Sequence, residues 1–160
     1  MRTGTRRRRA VGGMLAVLVA LAVVGCTKKT EKVRTLENTT GDARLNLTVT
    51  HGPLVAHQPV VWQLVFSNVS AQNVQITFRT AQRGEVVLLD KSHNNKVVYQ
   101  WSKGRSFTQS LATSTIGPRK KLAITLEGTL DVAAGTYQLR AGMASTPAPT
   151  PVFVEVTVRK

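Results

Sequence analysis

A single cysteine stands in the 160 residues, at position 26. A disulfide needs a pair and a thiolate zinc site needs more, so neither can organise this chain. Aromatic residues make up only 5 % of the chain, which leaves Val, Leu and Ile to build any core. Acidic residues are also few, 8 against 22 Lys+Arg, and no pair of carboxylates is spaced for hydrolysis. No Gly-rich loop opens a helix to cradle a phosphate. No Gly-x-Ser-x-Gly elbow is present either, because Gln100-Trp101-Ser102-Lys103-Gly104 lacks its first glycine. An enzyme is therefore not expected. Beyond residue 27 no helical period is found, and no apolar run reaches the ~20 residues that cross a bilayer comfortably.

The formal net charge of +14 is unevenly spread. Arg2, Arg6, Arg7, Arg8 and Arg9 crowd the start, and Lys28, Lys29, Lys32 and Arg34 follow Cys26 with Glu31 as the lone acid among them. From Thr35 onward the excess falls to about +6 and is scattered. A nucleic-acid reader shows a basic stripe or a recognisable motif; neither is visible, so nucleic acid is not an expected partner.

The first 26 residues read as an address. The arginines are followed by an uncharged stretch, Ala10 to Gly25, whose Met14 to Val24 portion is almost wholly apolar. Polar Thr27, Lys28 and Lys29 follow at once, which is the layout of a secretory signal peptide over residues 1–25. Val23-Val24-Gly25-Cys26 resembles a bacterial lipobox, with a branched apolar residue first and a small residue before the cysteine. That resemblance implies acylation of Cys26, cleavage between Gly25 and Cys26, and a mature protein moored to a membrane on the extracytoplasmic side of the cell envelope. The bland alternative is a free thiol at the end of an uncleaved anchor. Arg8-Arg9-Ala10-Val11-Gly12 fits the twin-arginine route poorly, since Gly12 stands where an apolar residue is wanted. Three tripeptides, at Asn38, Asn46 and Asn68, match the N-glycosylation pattern and read as chance in a bacterial lipoprotein.

Residues 26–43 form a lipidated N-terminus and polar linker in this reading, with no strong period. The basic stretch Lys28 to Arg34 serves either as an attraction to anionic head groups or as a solvated tether. From residue 44 to 160 the period is two. Leu45, Leu47 and Val49 share a face, as do Trp62, Leu64 and Phe66, then Val74, Ile76 and Phe78. Glu85 to Asp90 and Lys96 to Trp101 are shorter runs, the latter with Val97, Tyr99 and Trp101 on one side. Leu122, Ile124 and Leu126 follow, then Tyr137, Leu139, Ala141 and Met143, and last Val152, Val154, Val156 and Val158. Turn signals such as His51-Gly52-Pro53, His93-Asn94-Asn95 and Gly117-Pro118 separate these runs. Seven to nine short strands of this kind predict an all-β, immunoglobulin-like antiparallel β-sandwich. Pro147, Pro149 and Pro151 mark a rigid, exposed loop over Ala144 to Pro151.

The most distinctive stretch is Tyr99-Gln100-Trp101-Ser102-Lys103-Gly104-Arg105-Ser106-Phe107-Thr108-Gln109. With Leu64 to Ser70 and Val74 to Gln82 upstream, and Gly135-Thr136-Tyr137-Gln138-Leu139 downstream, it resembles the signature of the BsuPI family of intracellular proteinase inhibitors. The likeness covers roughly residues 44 to 158. It implies a sandwich without a cofactor, and a protein partner that is a serine protease. The departure is the address, since the family is named for an intracellular inhibitor and this chain reads as exported.

The residues themselves suggest a hairpin in which Gly104 takes the turn and Trp101 and Phe107 pack across it into the core. Gln109 would satisfy backbone groups at a sheet edge. Beside that structural role stands a functional one, a partner-binding hairpin of Trp101, Ser102, Lys103, Gly104, Arg105, Phe107 and Gln109. Lys103 or Arg105 would suit a trypsin-like pocket. Lys91 to Lys96 and Ala144 to Pro151 are further candidate loops. The alternative function is a structural or assembly lipoprotein that holds another envelope protein by its sheet edges. His51, His57 and His93 read as loop-surface histidines, with no metal expected, and Asp90 and Asp131 as turn caps.

Overall fold

The computed structural model describes residues 31–34, in backbone only, and residues 45–160. The expectations at Gly25 and Cys26, and all of residues 1–30 and 35–44, lie outside the described residues. Ten strands are found among the described residues: β1 Glu31–Arg34, β2 Leu45–His51, β3 Pro59–Asn68, β4 Val74–Thr80 and β5 Gly84–Asp90. The chain continues with β6 Lys96–Gln100, β7 Gln109–Ile116, β8 Lys121–Thr129, β9 Gly135–Met143 and β10 Val152–Val158. Lys91–His93 forms a short 3-10 turn between β5 and β6.

Every named pairing is antiparallel. One sheet has the order β1-β2-β3-β8, a second β10-β9-β5-β6, and β4 and β7 form a two-stranded ribbon. The alternation read from the sequence explains the layering. Each strand of a sandwich sends every second side chain inward. Trp62, Leu64 and Phe66 of β3 are fully buried, as are Val74 and Ile76 of β4 and Leu139 of β9. Side chains from all three sheets meet in one core cluster. The chain is thus an all-β, immunoglobulin-like antiparallel sandwich.

Two seams close it. Thr77 and Thr146 exchange backbone hydrogen bonds of 2.9 and 2.8 Å, which ties the ribbon to the segment leaving β9. Arg159 bonds Leu54 and Ala56 at 2.9 and 2.8 Å, which ties the end of β10 to the loop after β2. Asn68 is a third tie. Its buried amide nitrogen donates to the carbonyls of Gln72, Ile116 and Gly117 at 2.7, 2.8 and 3.1 Å. Its oxygen accepts from the Ser70 backbone and hydroxyl at 2.9 and 2.8 Å. An amide so engaged is in keeping with a chance match to the glycosylation pattern.

Five departures from the sequence reading concern the fold itself. Glu31–Arg34, placed in the linker, forms an edge strand with Glu31 opposite His51 and Arg34 opposite Thr48. Lys, Glu, Val and Arg carry no period in isolation, and the β2 edge supplies the pairing. His51 is not a surface residue; it is 2 % exposed. It continues the inward face of β2 after Leu45, Leu47 and Val49, and its ring meets Trp62 edge-on at 5.5 Å. Val97 does not share the face of Tyr99. A register shift between Leu88 and Leu89 leaves Val97 50 % exposed and packs Val98 against the core. The proline loop is only partly exposed, because Thr146 is bonded to β4 and Pro149 is buried. The fifth departure concerns the signature segment.

Candidate functional site

Trp101 to Thr108 is not a hairpin. β6 pairs with β5, whereas β7 pairs with β4, so the segment is a crossover between sheets. Local sequence signals a turn at Gly104 equally well in either case, and only strand pairing separates the two. Gly104 has φ +75°, in the left-handed region that a side chain resists. Lys103 N bonds Gln100 O and Arg105 N bonds Ser102 O, both at 3.1 Å, closing two successive tight turns.

Trp101 is the hub of the segment. Its backbone N–H donates to Val86 O of β5 at 2.8 Å, and its indole Nε1 donates to Glu127 O of β8 at 3.0 Å. It therefore stitches the two large sheets together at one edge. The Phe107 ring lies 5.7 Å away, tilted by 34°. Trp101 packs against the core cluster, while Phe107 is half-buried and outside it.

Arg105 does not project as a free cation. Its guanidinium lies 4.4 Å from the centre of the Trp101 ring. Nε donates to Trp101 O at 2.9 Å and Nη2 to Glu127 O at 2.6 Å. Gly128 lets this happen, since a Cβ there would stand 3.2 Å from the Tyr99 hydroxyl and 3.4 Å from Arg105 Nη2. Burial pushes the Tyr99 hydroxyl above its ordinary pKa of 10.0.

Ser102 is held from the other side. Its backbone N–H donates to Glu85 Oε1 at 3.1 Å, and its hydroxyl donates to Glu85 Oε2. Gln82 and Gln100 side chains reach the same carboxylate at 3.2 and 3.3 Å. Sequence reasoning missed Glu85. It sits 17 residues from Ser102 and belongs to no local motif. One signal was available: Glu85 is the first acid after Asp42 in an acid-poor chain.

Trp101, Ser102, Arg105 and Phe107 are thus brought together, and Lys103 stands exposed at the tip with no ion pair among the described residues. Gln109 is not part of this constellation; it opens β7 opposite Thr80. In the Lys91–Lys96 loop, Asp90 caps the 3-10 turn. It accepts from Ser92 N, Ser92 Oγ and His93 Nδ1 at 2.9, 2.6 and 2.7 Å. The Ser92 hydroxyl first, and His93 second, hold its carboxyl at about 2, below the ordinary 3.8. Asp131 does not act as a simple cap. It meets His57 Nδ1 at 2.8 Å on the surface. Among the described residues no three His, Cys, Asp or Glu side chains could hold a metal ion.

The structure is thus an antiparallel sandwich with a braced turn where its two large sheets meet. The chain belongs to the BsuPI family, described as intracellular proteinase inhibitor, whose model matches residues 45–148. No curated protein is a significant match. Among solved structures, Northeast Structural Genomics Consortium target SoR45 is 15 % identical with a TM-score of 0.40, covering 73 % of this chain and 87 % of its own. A β-glucosidase from Listeria innocua in complex with glucose is 13 % identical with a TM-score of 0.42. It covers 78 % of this chain, which spans 17 % of that enzyme.

Proposed function

We propose that this protein is a lipid-anchored, extracytoplasmic inhibitor module that blocks a serine protease with the Trp101–Phe107 turn. The observation that carries the reading is the bracing of that turn. Two sheets, the Glu85 carboxylate and the Arg105–Trp101 stack hold its base, while Lys103 is exposed at its tip. A loop already fixed in shape loses little entropy on entering a cleft, which is how a compact inhibitor gains affinity. A lone lysine on such a loop suits a specificity pocket floored by a carboxylate. Arg105, the other sequence candidate, is already spent on Trp101 and Glu127.

Acylation of Cys26 after removal of residues 1–25 would put this module at the envelope, with residues 26–43 leading into the body at 44–160. Two or more acyl chains anchor stably, at about 0.8 kcal/mol per buried CH₂. Inhibition assays of the full chain against trypsin-like, chymotrypsin-like and subtilisin-like proteases test the proposal. Inhibition of a trypsin-like enzyme that Lys103→Asp removes supports it, and no inhibition at micromolar concentration across the panel refutes it. Palmitate labelling tests the anchor separately: label lost in Cys26→Ala supports it, and an unlabelled native chain refutes it.

A further inference from the structure

We infer that the free edge of β7 is a second interaction surface, built to take an extended, acid-bearing segment of a partner protein as an added strand. This goes beyond the inhibitor reading and does not depend on the Trp101 turn. β7 pairs with β4 and, among the described residues, with no other strand. An edge strand of this kind leaves alternate backbone N–H and C=O groups pointing outward, unpaired.

Exposed edges are ordinarily blunted by a charge, a proline, a bulge or a short run. β7 has none of the usual chemical guards. Its eight residues, Gln-Ser-Leu-Ala-Thr-Ser-Thr-Ile, carry no charge and no proline, and its last five pairs with β4 are in unbroken register. The one register shift in the ribbon lies near its start, between Phe78 and Thr80 of β4. Thr is a strong strand former, and Leu111 stands 78 % exposed on the outward face. Its neighbours there include Thr113 and, on β4, Thr77, whose hydroxyls lie 3.4 Å apart. Main-chain bonds would give such an interface its affinity, and the Leu111 side chain one apolar contact.

Charge selects the occupant. From Lys91 to Leu126 the chain carries seven Lys or Arg and no acid, and β4 adds Arg79. Arg119, Lys120 and Lys121 are exposed at the C-terminal end of β7 and make no ion pair among the described residues. An antiparallel strand laid on β7 would bring its N-terminal residues to those three cations, so carboxylates belong there. A second copy of this chain fits worse. Two-fold pairing centred on Ala112 and Thr113 lays β7 against β7, and neither β7 nor its flanks from Lys91 to Leu126 hold an acid to meet the cations.

The probe is a synthetic peptide of alternating Thr and Val with a Glu-rich N-terminus, added to the full chain and followed by amide hydrogen exchange. New protection confined to Gln109–Thr115 is expected. Arg119→Glu combined with Lys121→Glu, and separately Leu111→Glu, should each weaken binding by about tenfold while leaving the far-UV spectrum unchanged. Both variants alter exposed side chains, so one remains informative if the other folds poorly. A control peptide of the same charge with proline at alternate positions cannot add as a strand and should not bind. Equal binding of that control, protection on any other edge, or protection of β7 by self-association before peptide is added would overturn the inference.

Discussion

Arg105 and Lys103 stand two residues apart and do opposite work. Arg105 contributes a ring stack and two hydrogen bonds to backbone carbonyls. Arg105→Ala should therefore cost about 1–2 kcal/mol in chemical unfolding. Lys103→Ala should leave the unfolding midpoint unchanged, since the side chain makes no ion pair among the described residues. Asp90 gives a prediction with a sign. Its folded carboxyl titrates at about 2 against an ordinary 3.8, so its cap is fully stabilising above the higher value and is lost as pH falls towards the lower. The wild-type melting temperature should drop more steeply than that of Asp90→Asn over this acid range, and parallel curves would contradict the assignment.

At the level of the strand, Gly84 shows how closely the sheets approach. It begins β5, and a Cβ there would stand 3.1 Å from Leu64 Cδ2 and 3.4 Å from both Leu126 Cδ1 and Gly142 O. Two of those atoms belong to the facing sheet, so relief for one side chain presses on another. Gly84→Ala should cost about 1–3 kcal/mol by overpacking, read from denaturant midpoints. The crossover from β6 to β7 belongs to this level too. Its turn residues could be recognised locally, but whether β6 meets β7 depends on β4 and β5, with which β7 and β6 pair instead.

For the molecule as a whole, one aromatic-poor core carries the load. Trp62 is fully buried, meets the rings of His51 and Tyr99, and lies in the cluster shared by all sheets. Trp62→Ala should cost about 3–5 kcal/mol and shift the unfolding midpoint of every probe together. A change that melts only the Trp101 turn would show that this turn is a separate unit. The basic excess belongs to this level as well. Most of it is spread along the chain, but Arg119, Lys120 and Lys121 are consecutive, and the fold leaves the uncharged edge of β7 open beside them among the described residues.

The all-β class was legible because burial in a sandwich alternates with the chain, and Leu45, Leu47 and Val49 or Val74, Ile76 and Phe78 display that alternation without any knowledge of partners. The Trp101–Phe107 contact was legible for a similar reason, as two aromatics flanking a glycine turn. His51 was misread because the type of a residue says less about burial than its parity within a strand. Glu85 was marked in the sequence only by the scarcity of acids, and its partner, like the edge of β7, was out of reach. The first acts on a residue 17 positions away, and the second is defined by the lack of a further partner strand among the described residues. Side-chain periodicity is a property of one segment and can be read along it. Which strands pair, which edges remain open and which carboxylate meets which turn are properties of segments brought together, and only the folded arrangement sets them.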